Sequence, residues 1–205
     1  MEKVNHLKKL SEFYKQRKNM ISLLKVPSMQ FLTIDGEKSP NDNPDYSDAV
    51  GALYAVAYKL KFMIKKGPME IDYKVMPLEG LWWTDIMEQF SLENRENWKW
   101  RMMIMQPEFI TMDMFAEALK TTKRKKDNPK LDFVQFISFD EGLSMQIFHK
   151  GPYGEGERES INKLHAAITD QGYQRRDKHH EIYFNSPLRT APENLKTIIR
   201  QPIKK

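Results

Sequence analysis

The sequence predicts an α+β fold, a duplicated strand-helix-strand-strand module with pseudo-twofold symmetry and a cleft where the two halves meet. Three observations predict it. Apolar residues alternate in some short runs and recur at helical spacing in others, so strands and helices are interleaved. The order strand, helix, strand, strand runs over residues 29–107 and starts again at residue 143, ending near 203. Two units of that kind complete one another's sheets, which leaves a groove at the junction. The duplication rests on element order, not on residue identity between halves. The domain plan that follows has an N-terminal helical extension over residues 1–26. A single domain over 27–205 then contains repeats at about 27–110 and 131–205.

Val4, Leu7, Leu10 and Tyr14 sit at near-helical spacing and predict an amphipathic helix within residues 3–20. Residues 29–36 read as a strand closed by Gly36, and the polar, proline-bearing stretch 37–44 as a loop. A helix starts at Asp45 or Ser47, carries Val50, Leu53, Ala57, Leu60 and Ile64 on one stripe, and stops at Gly67-Pro68. Residues 73–83 are strand-like with interruptions at Pro77 and Gly80. Residues 85–97 are a polar excursion, helix or loop, and 98–109 a strand ended by Pro107. A helix over 112–123 leads into a basic loop. Strands 132–139 and 143–149 pair through the Asp140-Glu141-Gly142 turn. After the Gly151-Pro152-Tyr153-Gly154 turn comes a helix over 157–172, with Ile161, Leu164, His165 and Ile168 facing in. A strand around Glu181 and another over 195–203 complete the set.

Composition excludes several classes. With 205 residues, 40% hydrophobic and 30% charged, the chain buries a core and is not disordered. It has no cysteine, so disulfides, thiolate nucleophiles and cysteine metal sites are ruled out. The longest apolar run, residues 49–58, is half of the roughly 20 residues that a membrane span needs. The first 25 residues lack the apolar core of a signal peptide, so a cytoplasmic location is expected. Much of the net charge of +5 (33 basic minus 28 acidic) clusters at Lys120, Lys123, Arg124, Lys125, Lys126 and Lys130. No aromatics interleave with it, so it reads as a solvated loop rather than a phosphate-tracking surface.

The chemistry concentrates near the C-terminus. Read as a strand, His179-His180-Glu181-Ile182-Tyr183-Phe184 puts Glu181 and Tyr183 on one face and Ile182 and Phe184 on the other. A carboxylate beside a phenol suits either an anchor for cationic aromatic ligands or a general base held above its usual pKa. Its bland alternative is a solvent-facing carboxylate paired with Arg175, Arg176 or Lys178. All four tryptophans, Trp82, Trp83, Trp98 and Trp100, fall within twenty residues, which suggests a cavity wall as much as an aromatic core. Trp100 and Met102 share a strand face. With Trp83 and Tyr73 they form the candidate wall, and thirteen methionines suit a pocket of adaptable shape. Glu79 is a second candidate carboxylate, or a turn residue before Gly80. His149 joins the candidates, although a lone histidine is more often packed or exposed. Gly151-Pro152-Tyr153-Gly154-Glu155-Gly156 lacks the lysine and serine of a phosphate loop and reads as turn chemistry. No histidine spacing fits a metal, and no Gly-x-Ser-x-Gly elbow occurs.

Two of these runs carry a family resemblance. Phe148-His149-Lys150-Gly151-Pro152-Tyr153 before a helix, and His180-Glu181-Ile182-Tyr183-Phe184 after it, resemble the GyrI-like small-molecule-binding domain. Leu78-Glu79-Gly80-Leu81-Trp82-Trp83 looks like a stand-alone branch of that family. The resemblance spans residues 27–203 and implies a ligand cleft between the duplicated halves. In multidrug-sensing regulators that share the domain, a glutamate matching Glu181 meets cationic aromatic drugs. Only some 25 residues precede the first predicted strand, too few for a helix-turn-helix, so direct DNA binding is not expected. Some stand-alone members are similar to enzymes that hydrolyse cyclopropane-bearing DNA-alkylating compounds. For this chain the resemblance implies a lipophilic aromatic ligand, sequestered or destroyed, without metal or cofactor. Glu181 would activate water and Tyr183 would donate a hydrogen bond to the carbonyl taking up charge. The alternative is a non-catalytic interaction module, such as a topoisomerase inhibitor, with an exposed apolar or charged patch and a filled cleft.

Overall fold

The computed structural model describes residues 1–15, 18, 20–41, 43–86 and 95–205. Its strands are β1 (Glu2–Val4), β2 (Ile21–Val26), β3 (Met29–Glu37), β4 (Ile71–Tyr73), β5 (Leu78–Trp83), β6 (Lys99–Gln106), β7 (Gln135–Phe139), β8 (Gly142–Lys150), β9 (Gln174–Arg175), β10 (His179–Tyr183) and β11 (Lys196–Lys204). Helices are α1 (His6–Lys9), α2 (Ser11–Tyr14), α3 (Pro44–Lys66), α4 (Met112–Lys123) and α5 (Arg158–Asp170). The main sheet is antiparallel in the order β2-β8-β11-β10-β5-β6-β3-β7, with β9 attached to β11. The order is palindromic by role. From the central pair outward, β10 matches β5, β11 matches β6, β8 matches β3 and β2 matches β7. Helix α3 follows β3 as α5 follows β8, so the expected duplication is written into the topology.

Two links force this sheet to curl. Residues 27–28 join β2 to β3 and residues 140–141 join β7 to β8, yet in each case the strands lie six places apart in the sheet. Six strand spacings in a flat sheet are about 29 Å. Three Cα steps reach at most about 11 Å. The sheet therefore curls strongly, and at the first of these links Ser28 Oγ meets Ser138 Oγ of β7 at 2.7 Å. The predicted 132–149 hairpin is thereby corrected. β7 pairs with β3 while β8 pairs with β11 and β2, because Glu141 turns into the interior instead of capping a solvent-facing turn.

The helices lie on the outer face. Asn43 caps α3 by accepting from the Asp45 N–H, Pro44 sits in the first turn, and Lys65 and Lys66 complement the C-terminal dipole. Its buried stripe, Ala49, Ala52, Leu53, Val56, Ala57, Leu60 and Ile64, follows the 3-4 spacing that a packed helix requires. On the other half Leu164 and Ile168 of α5 pack on Met145, Ile147, Ile199 and Ile203. The N-terminal segment departs from the predicted single helix. It forms β1, paired parallel to β4, and two one-turn helices, and residues 21–26 already belong to the main sheet. The 73–83 run splits at Pro77, with Tyr73 in the small sheet and Leu78–Trp83 in the large one. Most of the predicted 85–97 excursion lies outside the described residues.

Inside the curled sheet lies a closed ionic network. His180 Nδ1 and Nε2 lie 2.7 and 3.0 Å from Glu141 Oε1 and Glu79 Oε2. Carboxylate oxygens only accept, so both ring nitrogens donate and His180 is an imidazolium. Arg200 donates to Glu141 Oε2 (2.8 Å), Gln146 Oε1 (2.9 Å) and the Phe13 carbonyl (2.6 Å), and Tyr14 donates to Glu79 Oε1 (2.7 Å). The N-terminal segment is thus fastened to the core by α2. Burial opposes charge on His180, but Glu141 and Glu79 outweigh it and raise the pKa from 6.5 to about 9. Burial likewise opposes the Glu141 carboxylate, and His180 and Arg200 lower it from 4.5 to about 2.

These shifts set a pH dependence. A raised histidine stabilises fully below pH 6.5 and loses that contribution as pH climbs through about 9. A lowered carboxylate stabilises above pH 4.5 and loses its contribution as pH falls through about 2. Stability from the network is therefore expected to peak between those limits. Glu141→Gln strands two cations on one carboxylate and should cost about 3–5 kcal/mol in denaturant unfolding. It should also flatten the decline above pH 6.5, because His180 then titrates nearer its ordinary value. An unchanged midpoint and an unchanged alkaline limb would overturn this account.

Candidate functional site

The site forms on the outer face at the central β5–β10 pair, between α3 and α5. The pairing sets Glu181 opposite Gly80, His179 opposite Trp82 and Tyr183 opposite Leu78. Directly opposed residues share a face, so His179, Glu181, Tyr183 and Trp82 emerge together. Gly80 makes the space. A Cβ there would stand 2.8 Å from Trp82 Nε1 and 3.2 Å from Met102 Sδ, so the indole lies over bare backbone. Across that gap Trp82 Nε1 donates to the Tyr183 hydroxyl at 2.9 Å, and Tyr183 donates to Glu181 Oε2 at 2.6 Å. His179 Nε2 donates to Glu181 Oε1 at 2.9 Å.

Rings wall this chain of bonds. Tyr46, in the first turn of α3, stacks on Trp82 at 6.2 Å and stands edge-on to Trp100 at 5.2 Å. Tyr153, from the turn before α5, meets Tyr183 edge-on at 5.3 Å and donates a long 3.3 Å bond to the Asn185 carbonyl. His149 holds that turn. Its Nε2 donates to the Pro152 carbonyl at 3.2 Å, leaving Nδ1 to accept from Ser160 at 3.0 Å. Burial lowers the His149 pKa, which keeps the ring neutral in this role.

Electrostatics separates the site from the general base that the sequence suggests. Burial raises the Glu181 carboxyl, but His179, Tyr183 and His180 together bring it below its ordinary value. Glu181 is therefore a firm anion and a weak base. Burial, followed by the charge of Glu181, pushes the phenols of Tyr46 and Tyr183 up, so both keep their protons. Tyr183's proton is committed to Glu181. It cannot also be given to a substrate carbonyl while that bond stands.

The structure brings together Glu181, Tyr183 and Met102, with Trp100 behind Tyr46 and His149 behind Tyr153. Met102 is fully buried and floors the site against Gly80. Three candidates are elsewhere. Glu79 points to the inner face and is held by Tyr14 and His180, because it directly precedes Gly80 on a strand whose side chains alternate. Trp83 takes that inner parity too, with Lys178 Nζ 3.6 Å from its ring centroid. Tyr73 is buried in the small sheet against His6 and Phe109. Trp82, Tyr46, Tyr153 and His179 are the members that sequence reasoning missed. Uninterrupted alternation through Gly80 gives Trp82, and the Glu181 parity itself gives His179. Nothing local marks Tyr46, which sits beside a polar, proline-bearing stretch.

Two surface hollows of about 370 and 440 Å³ are bordered by Ser11, Glu12, Lys15 and Leu24, and by Glu2, Asn5 and Lys9. They lie at the N-terminal segment and share no residue with the Glu181 site. No described helix is long and apolar enough to cross a membrane.

Comparison with known proteins agrees with this architecture. The model of the GyrI-like small molecule binding domain matches residues 19–204. An uncharacterized conserved protein from Listeria innocua is 34% identical, with a TM-score of 0.89 over 98% of this chain and 100% of that one. A hydrolase from the same organism is 33% identical, with a TM-score of 0.87 over 99% and 100%. The EcmrR C-terminal domain, at 14% identity and a TM-score of 0.55 over 91% and 98%, shares the fold alone. No curated protein matches. With the palindromic sheet, the paired helices and a family match across nearly its whole length, the chain belongs to the GyrI-like small-molecule-binding domains.

Proposed function

We propose that this protein binds flat, lipophilic aromatic molecules at the Glu181 cleft and hydrolyses cyclopropane-bearing members of that class, as a cytoplasmic detoxifying enzyme. The single observation that carries the reading is the bond chain Trp82–Tyr183–Glu181–His179 beneath a wall of tyrosines. An ionised carboxylate among rings attracts cationic or electrophilic aromatics. Hydrolysis is supported by the likeness, above 30% identity and over full length, to Listeria proteins described as hydrolases. In ring opening, water forms a C–O bond to a ring carbon while a cyclopropane C–C bond breaks into the conjugated carbonyl. Glu181 accepts the water proton, and His179, bonded to its other oxygen, orients the carboxylate. The lowered pKa of Glu181 makes proton acceptance weak, so orientation and exclusion of water by the rings supply most of the effect.

A second reading, a docking module for another protein, is favoured by Tyr54, Tyr58 and Phe62. They form a ring ladder along α3, with Tyr58 48% and Phe62 46% exposed.

Glu181→Gln is expected to abolish opening of a cyclopropane-fused aromatic dienone while leaving its affinity within about tenfold. Equal turnover by the wild type and the variant would sink the catalytic part. A planar cationic dye should quench tryptophan fluorescence, since Trp82 lines the cleft and Trp98 touches it at 5.4 Å. Absence of quenching at high micromolar dye would favour the docking module.

A further inference from the structure

Nearly every polar group around Glu181 is already engaged. Both Glu181 oxygens accept bonds, Tyr183 gives its proton to Glu181, Tyr153 gives its own to Asn185, and His149 has a partner at each nitrogen. Tyr46 differs. Its hydroxyl has no hydrogen-bond partner among the described residues, although it stands where Glu181, Tyr153 and Tyr54 all act on it electrostatically. Tyr54, about two turns further along α3, stands in a different setting. Its neighbour is Tyr58, and Glu181 is not among the charges acting on it.

The Tyr46 ring is also fixed. Trp82 stacks on it with an interplanar angle of 28° and Trp100 meets it at 85°. Its backbone belongs to the first turn of α3, held by the Asn43 cap. A rigid donor costs little to order when a ligand arrives. Tyr46 is half-buried and its hydroxyl is open to solvent, so water serves it until a ligand acceptor takes that place. Burial and the nearby Glu181 charge hold the phenol protonated, so it remains a donor across the working pH range.

We propose that the Tyr46 hydroxyl is a ligand-binding group that donates to a carbonyl oxygen. Tyr46 and Glu181 together then select flat aromatics with a carbonyl acceptor on one edge and an N–H or cationic edge toward the carboxylate. This deepens the reading of the cleft as a small-molecule site and rests on it, but not on turnover. It also resolves the commitment of Tyr183. The carbonyl that takes up negative charge in ring opening meets Tyr46, while Tyr183 stays with Glu181.

Two probes isolate the hydroxyl. Acridone and carbazole are both flat, neutral and carry a ring N–H, but only acridone has a carbonyl. Their affinities for the wild type and Tyr46→Phe are measured by fluorescence titration. The wild type should bind acridone about tenfold more tightly than carbazole, the worth of one hydrogen bond. Tyr46→Phe should erase that preference and move carbazole by less than about twofold. Equal losses for both probes would make Tyr46 a packing residue only, and no change for either would place the carbonyl elsewhere. Both of those results overturn the assignment and leave the cleft intact. If neither probe binds the wild type at high micromolar concentration, the assignment and the small-molecule reading of this cleft both fall.

Discussion

The antiparallel pairing of β5 with β10 is the constraint on which the rest depends. It is the seam between the two half-sheets, and its register sends adjacent residues to opposite worlds. His180 and Glu79 go inward to the ionic network, while Glu181 and Trp82 go outward to the rings. A one-residue slip would exchange the two sets and leave charges without partners on both faces. The seam is therefore pinned from each side, by His180 and Glu79 within and by Trp82 and Tyr183 across Gly80 without.

The two faces communicate through charge. The inner network places two carboxylates, Glu79 and Glu141, against two cations, His180 and Arg200, which is why it tolerates burial. The imidazolium of His180 is also among the charges that hold Glu181 ionised. A site whose carboxylate is already satisfied by His179 and Tyr183 recognises ligands by steady attraction. It is poorly built for a large swing in basicity, and that shifts the weight of any chemistry onto orientation and the exclusion of water.

What was legible in the sequence is what alternation governs, whereas the cap of α3 falls on Asn43 and not on the expected Asp45 or Ser47. The shared face of Glu181 and Tyr183, the apolar stripe of α3 and the repeated element order all follow from local periodicity. Gly80 looks like a break in the sequence, but the strand alternates straight through it, so Trp82 faces outward and Glu79 and Trp83 face inward. The hairpin expected at 132–149 failed for a different reason. A short turn between strands ordinarily means a local pair, and nothing nearby announces that Glu141 is needed inside a curled sheet. The N-terminal segment was missed because its stability comes from Tyr14 and the Phe13 carbonyl reaching partners far away in sequence. Those contacts leave no period to read.

The curl of the sheet has a consequence for biosynthesis. Ile21 of β2 pairs with Ile147 of β8, and β2 has no other strand partner among the described residues. A ribosome adding about 5–20 residues per second therefore leaves β2 waiting roughly 6–25 s for its neighbour. During that interval the first half can fold around α3, but its edge stays open and the interior stays wet. The nascent chain is thus most adhesive in mid-translation, and the last strands to emerge are what make it safe.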